Sequence, residues 1–234
     1  MSRGWDHSAR AWIAAMGERG DWGREHVIDP IMLGRASALR FERALDVGCG
    51  EGRFCRMLKA RDIRVVGIDP TEELLTQARK RDPSGEYQLA RAEALPFPDE
   101  SFDLVVSYLT LIDIADFRAA LKEMARVLKP QGTLLIANLS SFVSCGPKSW
   151  IRDSDGGYLH YRVDRYLEEF SEWVEWSGIH IENWHRPLAS YMQELLALGL
   201  TLTFFDEPQP RSGDIARQER YRRAPWFVIM EWQR

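Results

Sequence analysis

One run, Ala44-Leu45-Asp46-Val47-Gly48-Cys49-Gly50-Glu51-Gly52-Arg53-Phe54, constrains the fold more than any other part of the chain. It passes from an apolar strand into a helix through glycines, a turn that lets a ligand approach backbone N–H groups. Four more strand-like runs follow: Ile63 to Ile68, Glu86 to Ala90, Phe102 to Ser107 and Thr133 to Ala137. Helical stretches separate them at Arg53 to Ala60, Thr71 to Arg81 and Asp116 to Leu128, the last closed by the breaker Lys129-Pro130-Gln131-Gly132. Strands alternating with helices predict a parallel sheet covered on both faces, and right-handed crossovers make it doubly wound.

The flanks are patterned differently. Two N-terminal helices are expected, roughly Ser8 to Met16 and Pro30 to Leu39, with Asp29 as the cap of the second. Between Ser140 and Arg186 the chain is rich in tryptophan, tyrosine and charge. The alternating run Glu172-Trp173-Val174-Glu175-Trp176 and the run Ile179-His180-Ile181 are punctuated by Gly178, as in a hairpin. A helix over Pro187 to Leu198 and two strands, Leu200 to Phe205 and Trp226 to Met230, complete the pattern. This divides the chain into an N-terminal helical lid (1–40), a core (41–139), an insertion (140–186) and a closing segment (187–234).

At 234 residues, 45% of them hydrophobic, the chain can bury a core without staples. Its three cysteines form neither a paired framework nor a C-x-x-C pattern, which fits a reducing compartment. No signal-like or membrane-spanning apolar run occurs, so a cytoplasmic protein with no membrane partner is expected. The net charge of −4 argues against a polyanion binder. Arg211, Arg217, Arg220, Arg222 and Arg223 cluster near the C-terminus, and a solvated, mobile loop is the preferred reading over a nucleic-acid patch.

The glycine turn suits two cofactor classes. A dinucleotide fingerprint needs G-x-G-x-x-G, but here Arg53 occupies the third place and Gly52 falls one residue early. Asp46 decides further. A carboxylate beside the turn would repel a pyrophosphate, whereas S-adenosylmethionine (SAM) has no phosphate and carries an ammonium and a sulfonium. Asp69, at the tip of the second strand, can bind both hydroxyls of a ribose.

With Ala92 to Val106 and Val127 to Gly132, these residues resemble the class I SAM-dependent methyltransferases, in the small-molecule, type 11-like branch. The resemblance covers roughly Ala44 to Asn138. It implies a seven-stranded Rossmann-like sheet of order 3-2-1-4-5-7-6 with the last strand antiparallel. It also implies that SAM is the cofactor and S-adenosylhomocysteine the product. Asp46, Gly48 and Gly50 would meet the methionine moiety, Asp69 the ribose, and Ala92 and Glu93 the adenine, with Cys49 and Pro70 also among the cofactor-binding residues. Ser107 and Tyr108 would floor the methyl site. Trp5, Trp12 and the run Gly20 to His26 resemble the N-terminal lid of this branch, with Trp12 reaching the cofactor; the alternative, of equal weight, is that both tryptophans simply pack a helix onto the domain.

The expected reaction is in-line methyl transfer to O, N or S of a small molecule, in a monomer or homodimer, without metal. Candidate acid–base groups are His185, His160 and Tyr158, followed by Tyr161 and Asp113; each is more often structural than catalytic. The fourth strand ends in Ser107-Tyr108-Leu109-Thr110, not the Asn- or Asp-Pro-Pro-aromatic motif of nucleic-acid base methylation. No Asp-Asn pair supports a magnesium-dependent catechol site. The alternatives are a non-catalytic SAM-binding or regulatory protein, and a methyltransferase acting on protein or RNA.

Overall fold

The computed structural model describes residues 4–146 and 150–234. The N-terminal segment comprises α1 (Trp5–Met16), one π-helical turn (Arg24–Ile28) and α2 (Asp29–Ala38). Then come β1 (Arg43–Val47), α3 (Arg53–Lys59), β2 (Arg64–Asp69), α4 (Glu72–Arg81), β3 (Glu86–Leu89), β4 (Phe102–Tyr108), α5 (Phe117–Val127) and β5 (Leu128–Leu139). A short α6 (Ser141–Ser144) leads into two hairpins. The first joins β6 (Trp150–Arg152) to β7 (Tyr158–Tyr161), the second β8 (Phe170–Trp176) to β9 (Ile179–His185). The chain closes with α7 (Leu188–Ala197), β10 (Thr201–Asp206), α8 (Ile215–Tyr221) and β11 (Phe227–Gln233).

The sheet runs β3-β2-β1-β4-β5-β11-β10, which in core-strand numbering is 3-2-1-4-5-7-6. Its first five strands are parallel, and β11 is antiparallel to both neighbours. Period-two alternation sends successive side chains to opposite faces. Leu45, Val105, Leu134 and Ile136 pack under α5 and α7 with Phe117, Leu121 and Leu195. Ala44, Leu104, Val106, Leu135 and Ala137 pack on the other face with Val27, Met32, Phe54 and Leu58. Both faces are buried, which is why these strands read as near-continuous apolar runs.

Several local expectations change. Asp29 caps nothing: the π turn carries the helix through it, and its buried carboxylate accepts hydrogen bonds from Arg53 and Tyr108. Pro30 explains the π turn, because it has no N–H to offer the carbonyl of His26. That carbonyl accepts instead from the Arg211 N–H, at 3.0 Å. Nor is the arginine cluster a loop throughout. Residues Ile215–Tyr221 form α8, with the Asp214 side chain accepting from the Arg217 N–H at 2.9 Å. Arg223 then donates to the carbonyls of Tyr158 and Leu159 and so braces the first hairpin. The breaker after α5 lies inside β5, where Lys129 to Gly132 bulge between Leu128 and Thr133, the partners of Phe102 and Leu104. Gly178 does mark a hairpin: Ser177 and Gly178 form its two-residue turn, both with positive φ. No helix among the described residues is long and apolar enough to cross a membrane.

Candidate cofactor cleft

The cleft opens at the carboxyl ends of β1, β2 and β4, the edge at which doubly wound sheets bind ligands. The N–H groups of Gly48 and Cys49 both donate to the Ile68 carbonyl (2.8 and 2.9 Å), tying the glycine turn to β2. Asp69 accepts from the Gly50 N–H at 3.0 Å and from the Thr71 N–H at 2.8 Å. Turn and strand tip are therefore one unit. Gly48 (φ 76°) is confined, since a Cβ there would meet Thr110 at 2.2 Å. Gly50 (φ 56°) is open, with nothing within 4 Å of where its Cβ would stand.

Two lobes meet over these glycines. The larger, about 900 Å³ counted out to its open mouth, is lined by Asp69, Pro70, Leu74, Ala92, Leu109 and Trp5 among others. The smaller, about 480 Å³, is lined by Asp46, Cys49, Glu51, Arg53, Met16 and Phe54 among others. Trp12, Arg24, Gly48, Gly50 and Tyr108 border both.

Each lobe holds a buried carboxylate, Asp69 in the larger and Asp46 in the smaller. Asp46 is 1% exposed; one carboxylate oxygen accepts from the Cys55 thiol at 3.2 Å, and Oδ1 is buried with no partner. Burial pushes its pKa up to about 7, against the opposing hydrogen bond from Cys55. Burial likewise lifts Asp69 to about 6, opposed by the Thr71 and Gly50 N–H groups. Such an orphaned anionic oxygen calls for a cation. Burial raises Cys49 to about 11 and Cys55 well above the ordinary thiol range, so neither is a ready nucleophile.

Of the residues expected from sequence, Trp12, Asp46, Gly48, Cys49, Gly50, Asp69, Pro70, Ala92, Glu93 and Tyr108 line one lobe or both. Ser107 lines neither and is fully buried. Asp113 borders the larger lobe and accepts from Asn183 at 2.6 Å. The structure does not bring the other acid–base candidates to the cleft. His185 is buried between Ser144 (2.8 Å) and the Tyr166 carbonyl (3.0 Å), and burial lowers its pKa. His160 lies on β7 beside Phe142 and Arg223, in a separate groove with Tyr161. Tyr158 is held by Arg152 at 2.9 Å on the same hairpin. No histidine lines either lobe.

Three residues that matter here were not anticipated: Arg24, Asp29 and Arg53. Tyr108 donates its phenol proton to Asp29 at 2.9 Å, and Asp29 is ion-paired with Arg53 in the buried floor. Burial, with Asp29 beside it, raises the phenol well above its usual range.

The residues present fit SAM. The orphaned Asp46 oxygen suits its cationic end, the open Gly50 leaves it room, and Asp69 stands at the β2 tip within the larger lobe. The chain matches a family model described as a methyltransferase domain over residues 45–136. It superposes on an S-adenosylmethionine-dependent methyltransferase from Mesorhizobium loti with a TM-score of 0.77 and 26% identity, covering 88% of this chain and 96% of that one. A second such structure, described as a putative S-adenosylmethionine-dependent methyltransferase from Listeria monocytogenes, matches with the same TM-score and identity over 86% and 94%. Residues 45–136 carry a methyltransferase domain, on the fold of the S-adenosylmethionine-dependent methyltransferases. Among the curated relatives of this chain is a malonyl-[acyl-carrier protein] O-methyltransferase from Serratia marcescens, 37% identical over 47% of this chain and 43% of that protein. The chain thus spans under half the length of the first curated relatives it matches.

Proposed function

We propose that the chain transfers the methyl group of SAM to an oxygen, nitrogen or sulfur atom of a small-molecule acceptor, by in-line displacement. The observation that carries this reading is the buried Oδ1 of Asp46, partnerless among the described residues, on a side chain that lines the smaller lobe with Gly48 and Gly50. When bound, SAM supplies an electrophilic methyl group on a sulfonium.

The chain's own residues then bind, orient and exclude water. Asp46 takes the ammonium and Asp69 the ribose hydroxyls, while Pro70, Leu74, Ala92 and Leu109 enclose the adenine. Trp5 and Trp12, edge-to-face with centroids 5.0 Å apart, cover the cleft from α1. Tyr108 presents its ring to the reacting centre with its proton committed to Asp29, so it serves as a wall and not as a base. With no histidine in either lobe, catalysis rests on alignment, which alone contributes several kcal/mol. The acceptor is one that arrives as a good nucleophile, such as a carboxylate, thiolate or free amine. The 1–40 and 140–186 segments would act together as cover, consistent with the packing of α1 on β9 through Ser8, which bonds the His180 N–H and carbonyl.

Incubating the purified protein with methyl-labelled SAM and a fractionated metabolite extract should label one small-molecule fraction, with S-adenosylhomocysteine formed in equal amount. SAM bound but never consumed, with any fraction, would favour a non-catalytic binding protein. Label recovered only in protein or RNA would move the acceptor to that class.

A further inference from the structure

We propose that the face formed by the first hairpin and α8 docks an acidic, amphipathic segment of a partner protein, apart from the cofactor cleft. Positive charge collects there in a chain whose net charge is −4. Residues 211–223 carry five arginines against Asp214 and Glu219, and Asp214 is spent on capping α8. Three guanidiniums converge on Tyr158. Arg152 (2.9 Å) and Arg220 (3.4 Å) donate to its hydroxyl, and Arg223 (2.7 Å) donates to its carbonyl. Arg220 and Arg152 also hold the phenol below its ordinary pKa range. None of the three arginines is ion-paired with a carboxylate among the described residues, and Arg220 Nε is buried without a partner. Elsewhere Arg118, Arg126, Arg165 and Arg234 each meet a carboxylate at 3.1 Å or less. Like charges held this close repel, so an anion from outside would complete the cluster.

Beside the arginines runs an open groove of about 710 Å³, lined by Phe142, Trp150, Leu159, Tyr161, Val163 and Arg223 among others. Phe142, Leu159 and Val163 are 42%, 49% and 52% exposed, so three large apolar side chains share one concavity. An apolar groove beside a cationic rim fits apolar side chains at helical spacing, flanked by acidic ones. Nucleic acid fits less well, because its bases need a free aromatic face. Trp150 is hemmed in instead, by Tyr158 (5.5 Å) and Tyr161 (5.4 Å) in edge contacts and by Arg223 over its ring (4.8 Å). A lipid surface needs apolar side chains that protrude, whereas these line a concavity.

The probe is a synthetic helical peptide with leucines at i, i+3, i+4 and i+7 and glutamates elsewhere. The controls are the same residues in scrambled order, a uridine oligonucleotide, and vesicles of phosphatidylglycerol. Each is titrated with the full chain at physiological ionic strength. The peptide should bind one-to-one, about tenfold or more tighter than any control. Leu159→Asp and Arg220→Glu each set a like charge against the peptide and should weaken it by about tenfold or more, with the fold kept by circular dichroism. Arg220→Gln, which only removes charge from the surface of α8, should fall between. A peptide that does not bind, a scramble that binds as tightly, or variants that bind like the intact chain would overturn the proposal. So would tighter binding of the oligonucleotide or the vesicles, which would give the face to that class of partner.

Discussion

Replacing Asp46 by asparagine should cut affinity for S-adenosylhomocysteine by two orders of magnitude or more, and leave the ligand-free protein as stable at pH 8 or more so. The carboxylate is buried beside Asp69 with one oxygen unpartnered. Its folded pKa of about 7 lies above the unfolded value of 3.8, so the native state binds its proton more tightly. The stability this proton gives is complete below pH 4 and is lost as pH rises through 7. Above that, the ionised group costs on the order of 4 kcal/mol at most, a cost the neutral amide largely avoids. The ligand reverses the sign. An ammonium about 4 Å away attracts the carboxylate by about 4 kcal/mol at an effective dielectric near 20, before desolvation. Affinity in the intact protein should therefore weaken by up to tenfold per unit as pH falls below 7, and Asp46→Asn should flatten that slope. Calorimetry from pH 5.5 to 8, with melts of the ligand-free proteins, measures both. Undiminished affinity in the variant would rule out the ammonium site.

Arg186→Met should destabilise the protein by about 3–5 kcal/mol, lowering its melting temperature by roughly 10 °C. Arg186 is 1% exposed at the end of β9. It donates to the carbonyls of Leu111 (3.0 Å), Ile114 (2.6 Å) and Ala115 (2.9 Å), and lies over Phe117 (4.4 Å) and Trp184 (5.0 Å). Those carbonyls belong to the loop that walls the larger lobe, so one arginine from the insertion fixes the shape of the cleft. Methionine would fill the volume but leave the carbonyls of Ile114 and Ala115 unpaired at about 1–3 kcal/mol each, partly relieved by relaxation, while Leu111 would keep only its bond from the Ile114 N–H. Arg186→Lys should fall between, keeping the charge without the fork. Thermal melts decide; a shift under about 2 °C would mean the loop holds itself.

The sheet was legible because its strands are apolar on both faces, and the glycine turn and Asp69 because they are local signals that, with Asp46, point to one of two cofactor classes. Alternation also held information about Ser107: it shares a face of β4 with Val105, opposite Tyr108, so the two could not floor one site together. Asp29 misled because Pro30 usually opens a helix; here the same missing N–H produces a π turn, and a distant contact with Arg53 recruits the carboxylate. The first hairpin had a readable turn in Asp153-Ser154-Asp155-Gly156-Gly157, where Asp153 accepts from two N–H groups, but its strands were too short to carry a period. Arg186 could not be read from sequence: it is one arginine among many, and its role comes from packing against residues some seventy positions away. His185, His160 and Tyr158 were chosen by residue type, and only folding shows which groups face the cleft.

The central claim, that the cleft over the glycine turn holds the cofactor, is tested most directly by titrating S-adenosylhomocysteine into the intact chain and into Gly50→Ala. The added methyl meets no protein atom within 4 Å, and its left-handed backbone costs about 1–2 kcal/mol, so the variant should remain folded by circular dichroism. It would, however, project into the space between the lobes. One-to-one saturable binding by the intact chain, lost or weakened at least 30-fold in folded Gly50→Ala, is the expected result. No uptake by the intact chain, or the same affinity in the variant, would mean that the cofactor does not bind there.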